Sequence, residues 1–377
     1  MKNTLLFTFL LSILLACSKD DNTMNTDGND DILFVSTWIV GDPAYGDGTL
    51  AITIPTNPLY TDYLYTVDWG DGSMSTDVTG DAGHTYATAG TYAITISGIF
   101  PSLQMYPGGS DKEKLLSIEQ WGDISWRTMK WAFYGCSNLT FNASDVPDLS
   151  NVTDMSEMFT NATGFNEDLN AWDVSNVTKM TYMFGDADEF DGNIIEWDVS
   201  NVTDMSGMFS ETAFNQDISG WDVSNVTNMD WMFGVASSFN QDIGGWDVSN
   251  VERMGNMFFR AVSFNQDIGG WNVENVTYMP GMFDRATFFN QDISSWNVSA
   301  VTNMAAMFRG LSTFNQDIST WDVGNVTEMG AMFNNAIAFN QNLSGWNTIN
   351  VTGCGTFADN SAMSASDLPV AGSCDFE

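Results

Sequence analysis

The sequence predicts an α/β solenoid preceded by a small all-β sandwich, and three observations carry that expectation. Tryptophan recurs as Trp172, Trp197, Trp221, Trp246, Trp271, Trp296, Trp321 and Trp346, at spacings of 25, 24, 25, 25, 25, 25 and 25 residues. A fixed period in this range marks a solenoid whose units bury their apolar faces against their neighbours. Inside each unit the apolar period changes from two to three or four. Ahead of the repeats, short alternating runs are separated by Gly, Pro and Asp-Gly turns, the pattern of antiparallel strands.

The unit around Trp221 sets the expected order of elements. Trp221 and Val223 flank Asp222 in strict alternation, which predicts a short strand with Trp221 and Val223 inward and Asp222 outward. Val226, Met229, Met232 or Phe233, and Ala236 then recur every three or four residues, which predicts a helix of two or three turns. Ser224 or Asn225 stands where an N-cap belongs, and Gly234 where the helix ends. Two degenerate units, around Trp121 and Pro147, lead the eight strict ones. The last unit is worn too, with Cys354 at the methionine position. Terminal repeats are expected to be atypical because one face meets water.

Copies such as FNQDISGWDVSNVTNMDWMF resemble the leucine-rich-repeat-like units of bacterial surface proteins of the BspA type, also abundant in mycoplasma surface proteins. The resemblance spans roughly 115–360. It implies a leucine-rich-repeat-like fold on a surface protein used in adhesion or recognition.

Residues 1–16 read as an export signal, with an apolar run from Leu5 to Ala16 too short to span a bilayer permanently. Leu14-Leu15-Ala16-Cys17 resembles a bacterial lipobox, which implies lipidation of Cys17. The following Ser18-Lys19-Asp20-Asp21 resembles the acidic signal that sends such lipoproteins to the cell surface. The expected location is therefore the outer membrane, by a lipid anchor, with 17–31 as a flexible acidic tether. Residues 32–100 carry the strand pattern. There TVDWGDGS and HTYATAGTYAITISG resemble the PKD module, an Ig-like sandwich of cell-surface proteins. Asp68 and Asp71 are calcium candidates, but the structural reading, that they shape the Trp-Gly-Asp-Gly turn, is preferred. His84, the sole histidine, reads as a packing and hydrogen-bonding residue. A linker at 101–114 and a tail or cap at 361–377 complete the expected organisation.

The formal charge is −37, from 48 acids against 11 bases, which excludes nucleic acid as a natural partner because a polyanion needs a basic footprint. Such acidity fits solubility in salty media. Cys354 and Cys374 are the disulfide candidates, stapling the C-terminal cap, while Cys136 reads as a stand-in for the small Ala187 of another unit. One histidine, lying outside the repeats, allows no Ser-His or Cys-His pair inside the solenoid, and equivalent repeated carboxylates lack the two different environments that a glycosidase needs. No enzyme activity is expected. The Asn-Val-Thr triplets match a glycosylation sequon, but read as caps at helix starts.

Strands stack at about 4.8 Å while helices need about 9–10 Å, so an α/β array should curve with strands on the concave side and helices on the convex side. The exposed strand position then forms a candidate ligand-binding column: Asp173, Asp198, Asp222, Asp247, Asn272, Asn297, Asp322 and Asn347. Calcium bridging Asp198, Asp222 and Asp247 is one use of it, and the plain alternative is a solvated acidic face. A second column, Asp217, Asp242, Asp267, Asp292 and Asp317, is expected to bond loop backbone in neighbouring coils. Two functions are compatible with this surface. One is a non-catalytic lipoprotein presenting the solenoid to an extracellular protein or glycan. The other is a structural envelope component whose repeats bind cations or self-associate.

Overall fold

A computed structural model describes residues 33–105, 107–370 and 374–376, all within one compact unit, Ile32–Glu377. The expected export signal, Cys17 and the tether lie outside the described residues.

The N-terminal part is built from alternating runs. Strand β1 (Phe34–Val40) buries every second residue, and β2 (Ala51–Ile54), β3 (Leu64–Asp68), β4 (Met74–Val78), β5 (Ala82–Thr85) and β6 (Gly90–Ile99) follow in chain order. A six-stranded sheet, in which β4-β3-β6-β1 run in that order and two later strands follow β1, faces the two-stranded β2-β5. Between them pack Tyr63, Tyr65, Trp69, Tyr86, Ile94 and Phe100. The Trp-Gly-Asp-Gly turn is shaped as its composition suggests. Asp68 accepts the Gly70 N–H and Asp71 the Ser73 N–H, each at 2.9 Å. Gly70 has a φ of +75°, and a Cβ there would meet the Ala93 carbonyl oxygen at 2.4 Å, so only glycine fits.

The last two strands of that sheet belong to the first coils of the solenoid. Strand β7 (Leu115–Gln120) pairs antiparallel with β1, and β8 (Thr140–Phe141) pairs parallel with β7. The sandwich therefore covers the open N-terminal face of the repeats and spares them an exposed edge. Residues 101–114 are tied into this junction. Lys114 is fully buried, with its ammonium 2.7 Å from Asp111 and 2.6 Å from Asp47.

The solenoid is not α/β, which corrects the predicted class. Among the described residues there is no α-helix, only two short 3₁₀ turns at Lys112–Lys114 and Ala365–Asp367. Each coil is instead a succession of β-turns. In the unit around Trp221, the N–H groups of Trp221, Val226, Met232, Ala236 and Phe239 reach the carbonyls of Ile218, Val223, Met229, Phe233 and Ala236. Every one of those turns opens and closes on a buried apolar residue. A spacing of three is thus the span of a β-turn here, and it imitates a helical face.

The intervening N–H groups point along the solenoid. Met229, Trp231 and Phe233 donate to Arg253, Gly255 and Met257 of the next coil. A helix would have kept those bonds within its own segment. Positive φ angles enforce the difference, at Glu157 and Asn161 (+56° and +60°), Tyr182 and Asp186 (+49° and +56°), and Trp231 and Val235 (+62° and +61°). Left-handed residues four apart do not propagate a right-handed helix.

The expected strand also moves. Trp221 and Val223 are buried and Asp222 is exposed, as the alternation implies, but no ladder forms there. The parallel bridges run one residue before the methionines, through Asp154, Lys179, Asp204, Asn228, Arg253, Tyr278, Asn303, Glu328 and Gly353. Without helices the coil has no wide face and narrow face to impose the expected curvature. Successive phenylalanines stack at 5.7 Å (Phe258 to Phe283) and 6.1 Å (Phe264 to Phe289), and Trp271 lies 6.4 Å from Trp296. Coil spacing is nearly uniform across the section, so strand and helix faces of different pitch do not exist. Inside each coil the two phenylalanines also stack face to face, at 3.9 Å for Phe258 and Phe264.

At the C-terminus Cys354 and Cys374 form a disulfide with Cα atoms 6.1 Å apart. Phe376 packs edge-on against Phe357, covering the last coil. Cys136 is a buried free thiol whose N–H closes the same turn, onto Phe133, that Ala187 closes onto Phe184.

Candidate functional site: the side-chain columns of the solenoid

Because each coil repeats the last, every exposed position becomes a column along the array. Asp173, Asp198, Asp222 and Asp247 each accept the backbone N–H two residues on, at 3.0 to 3.1 Å, and Asn272, Asn297, Asp322 and Asn347 do the same at 3.0 to 3.4 Å. These are Asx-turns, so the column shapes its own coil. The Ser175, Ser224 and Ser249 hydroxyls and N–H groups hold Asp173, Asp222 and Asp247 below the usual carboxylate range. The charge of Asp222 works weakly in the other direction on Asp247.

No group of three acids, histidines or cysteines converges to hold a metal among the described residues. Asp198, Asp222 and Asp247 are therefore a row, each with one oxygen on its own turn, and not a coordination cage. Asp68 and Asp71 are likewise committed to their turn. Asp71 also lies 2.8 Å from His84 and is held down to about 2, first by the Ser73 hydroxyl and then by His84. His84 stacks on Trp69 at 4.9 Å, consistent with a packing role.

The second column departs from expectation. Asp217, Asp242, Asp267, Asp292 and Asp317 bond backbone in their own coil, two residues on, rather than in a neighbour. The bonds between coils come from amides. Asn215, Asn240, Asn265 and Asn290 each accept the N–H of the corresponding asparagine in the next coil. The Asn-Val-Thr triplets bond between coils too and are not helix caps. Asn225 and Asn275 donate to the Ser200 and Ser249 carbonyls, and Thr203 and Thr227 to those of Thr178 and Thr203. In the asparagine ladder, Asp191 takes the Asn215 position one coil earlier and accepts the Asn215 N–H at 2.8 Å, so the ladder needs a side-chain oxygen there and accepts a carboxylate as well as an amide.

One corner column breaks the uniformity. Its left-handed positions read Asn161, Asp186, Glu211, Val235, Arg260, Arg285, Gly310, Asn335 and Asn360, changing sign along the array. Arg260, Arg285 and Arg309 line an open cavity of about 670 Å³ together with Thr287, Asn334 and Asn335. The cluster is inconspicuous in the sequence because the repeats carry so few bases. The available signal was that four of the five bases after residue 130 fall between Arg253 and Arg309.

The family model described as "Mycoplasma protein of unknown function, DUF285" matches residues 127–226, 210–310 and 266–368. The chain belongs to this family. Each DUF285 match takes in about four coils, and together the matches run from the first full coil to the C-terminal cap. The sandwich lies outside them. No curated protein and no solved structure matches the chain. The DUF285 unit, as folded here, is a stack of β-turns with a phenylalanine core, whose polar columns are either spent on turns and coil-to-coil bonds or, at the arginine corner, free to face outward.

Proposed function

We propose that this DUF285 repeat protein is a surface-displayed, non-catalytic recognition or adhesion module of the BspA type, anchored by lipid on Cys17 and raised by a PKD-like sandwich. The observation that carries the reading is the division of labour inside the coil. The core residues are nearly invariant from coil to coil, while solvent-facing positions, the corner column among them, change. A fold that needs only its core constant leaves such a column free to specify a ligand. The Leu14-Leu15-Ala16-Cys17 motif supports the anchor, and two or more acyl chains make attachment firm. No helix among the described residues is long and apolar enough to cross a membrane.

The test has two arms. Cys17→Ser is expected to abolish incorporation of labelled fatty acid and release the protein from the membrane fraction. Protease added to intact cells is expected to remove the solenoid. Continued membrane recovery of an unlabelled Cys17→Ser protein, or full protection of the solenoid, refutes the anchored surface reading. The near-identity of the Asx columns favours the structural alternative, in which the repeats self-associate. A glycan and protein array probed with the full chain separates the two, since a structural component gives no selective signal.

A further inference from the structure

We propose that the arginine corner at Arg260, Arg285 and Arg309 binds an anionic sugar chain through its carboxylate or sulfate groups. The proposal deepens the recognition reading above and rests on it for the biological setting.

The charge balance at the corner is the starting point. In a chain of formal charge −37, three guanidinium groups line one cavity of about 670 Å³. That volume lies within the roughly 300–1,000 Å³ of small-ligand sites. Asp284 is buried and neutralises Arg309, with Arg309 Nε 3.0 Å from its Oδ1. Arg285 approaches the same carboxylate only to 4.0 Å, and its side chain remains 47% exposed. Arg260 makes no ion pair among the described residues, and its guanidinium lies over the Phe259 ring at 5.1 Å, which orients it. Two net positive charges therefore face the groove, where earlier coils carry Asp186 and Glu211 at the equivalent position.

Geometry selects the ligand. Arginine forks meet carboxylate and sulfate with paired hydrogen bonds, and these arise from successive coils whose phenylalanine columns step by 5.7 Å and 6.1 Å. A chain with regularly repeated anionic groups can be met coil by coil. Thr287, Asn334 and Asn335 add hydroxyl and amide groups suited to sugar hydroxyls, and Val262 supplies an apolar wall. A peptide strand has no edge to join here. The N–H groups of Arg260, Arg285 and Gly310 are already bonded to the carbonyls of Asp284, Arg309 and Asn334. A long polyanion such as nucleic acid meets repulsion from the rest of the surface.

The column itself supplies variants that should fold. Asparagine occupies this left-handed position at Asn161, Asn335 and Asn360, so Arg260→Asn and Arg285→Asn place a tolerated residue there. Titration calorimetry on the full chain at low salt would use a tetragalacturonate, a heparin-derived tetrasaccharide, neutral maltotetraose and a tetraglutamate peptide. The expected result is binding of the tetragalacturonate, the heparin tetrasaccharide or both, with the two arms separating carboxylate from sulfate. Each arginine variant should weaken that binding by about tenfold or more, with an unchanged melting temperature. Binding that also falls with added salt completes the expected pattern. The proposal is overturned if neither anionic sugar binds, if the variants bind as the parent does, or if tetraglutamate binds as tightly as the sugars. Should an array ligand bind while both anionic sugars fail, recognition stands and this groove is not its site.

Discussion

Replacing Trp271 and Trp221 separately by phenylalanine tests how the coils are joined, because the two sites differ in one bond. Both tryptophans are buried at the same position of the repeat. Trp271 donates its indole N–H to the Ile243 carbonyl of the preceding coil at 3.0 Å, as do Trp246 to Ile218 and Trp296 to Ile268. Trp221 sits in the one coil that is a residue short, and its buried N–H has no hydrogen-bond partner. Trp→Phe removes the same ring atoms from each, so the packing loss is common and largely cancels. At Trp271 the change removes one of the two hydrogen bonds that the Ile243 carbonyl accepts, the other coming from the Trp246 backbone N–H, whereas at Trp221 it relieves a buried donor that was never satisfied. An unpaired buried polar group costs about 1–3 kcal/mol. Trp271→Phe should therefore be the more destabilising by at least about 1 kcal/mol. Equilibrium urea unfolding followed by circular dichroism measures both against the parent. Equal losses at the two sites, or a greater loss at Trp221, would refute the indole-to-carbonyl link as a source of coil-to-coil stability.

Three further outcomes are expected. Asp173, Asp222, Asp247, Asp217, Asp292 and Asp317 all have carboxyl pKa values lowered from the ordinary 3.8 by serine donors, so their turns add stability above that value and lose it as pH falls through the lower folded values. Urea midpoints should decline below about pH 4 in high salt, where relief of charge repulsion is screened out, and a flat profile would count against the Asx-turns. Reducing the Cys354–Cys374 disulfide, which closes a loop of sequence separation 20, should cost about 3 kcal/mol and expose the tail after Phe357 to protease first. Calcium should raise the melting temperature no more than sodium at matched ionic strength, because the acidic column offers a row and no cage. A specific calcium shift that Asp198→Asn removes would restore the bridging idea.

The array, its period and its core were legible in the sequence, since burial repeats wherever the chain repeats. Trp221 and Val223 point inward and Asp222 outward, as their alternation implied. The conformation joining those residues was not legible. Met229 and Met232 are three apart, and that spacing serves one turn of helix or one β-turn equally well. What decides between them is where the intervening N–H groups find acceptors. In this chain they find them in the next coil, held there by left-handed residues such as Trp231 and Val235, whose side chains give no hint of a positive φ. The polar columns followed the same division. Which residues formed a column could be read from the period. Whether an aspartate in it serves its own turn or a neighbouring coil, and whether three arginines in successive coils share one groove, depended on how the coils stack. Sequence determined which residues are equivalent, and tertiary structure decided what each equivalent position touches, because a hydrogen bond between coils joins residues about one period apart that have no local preference for each other.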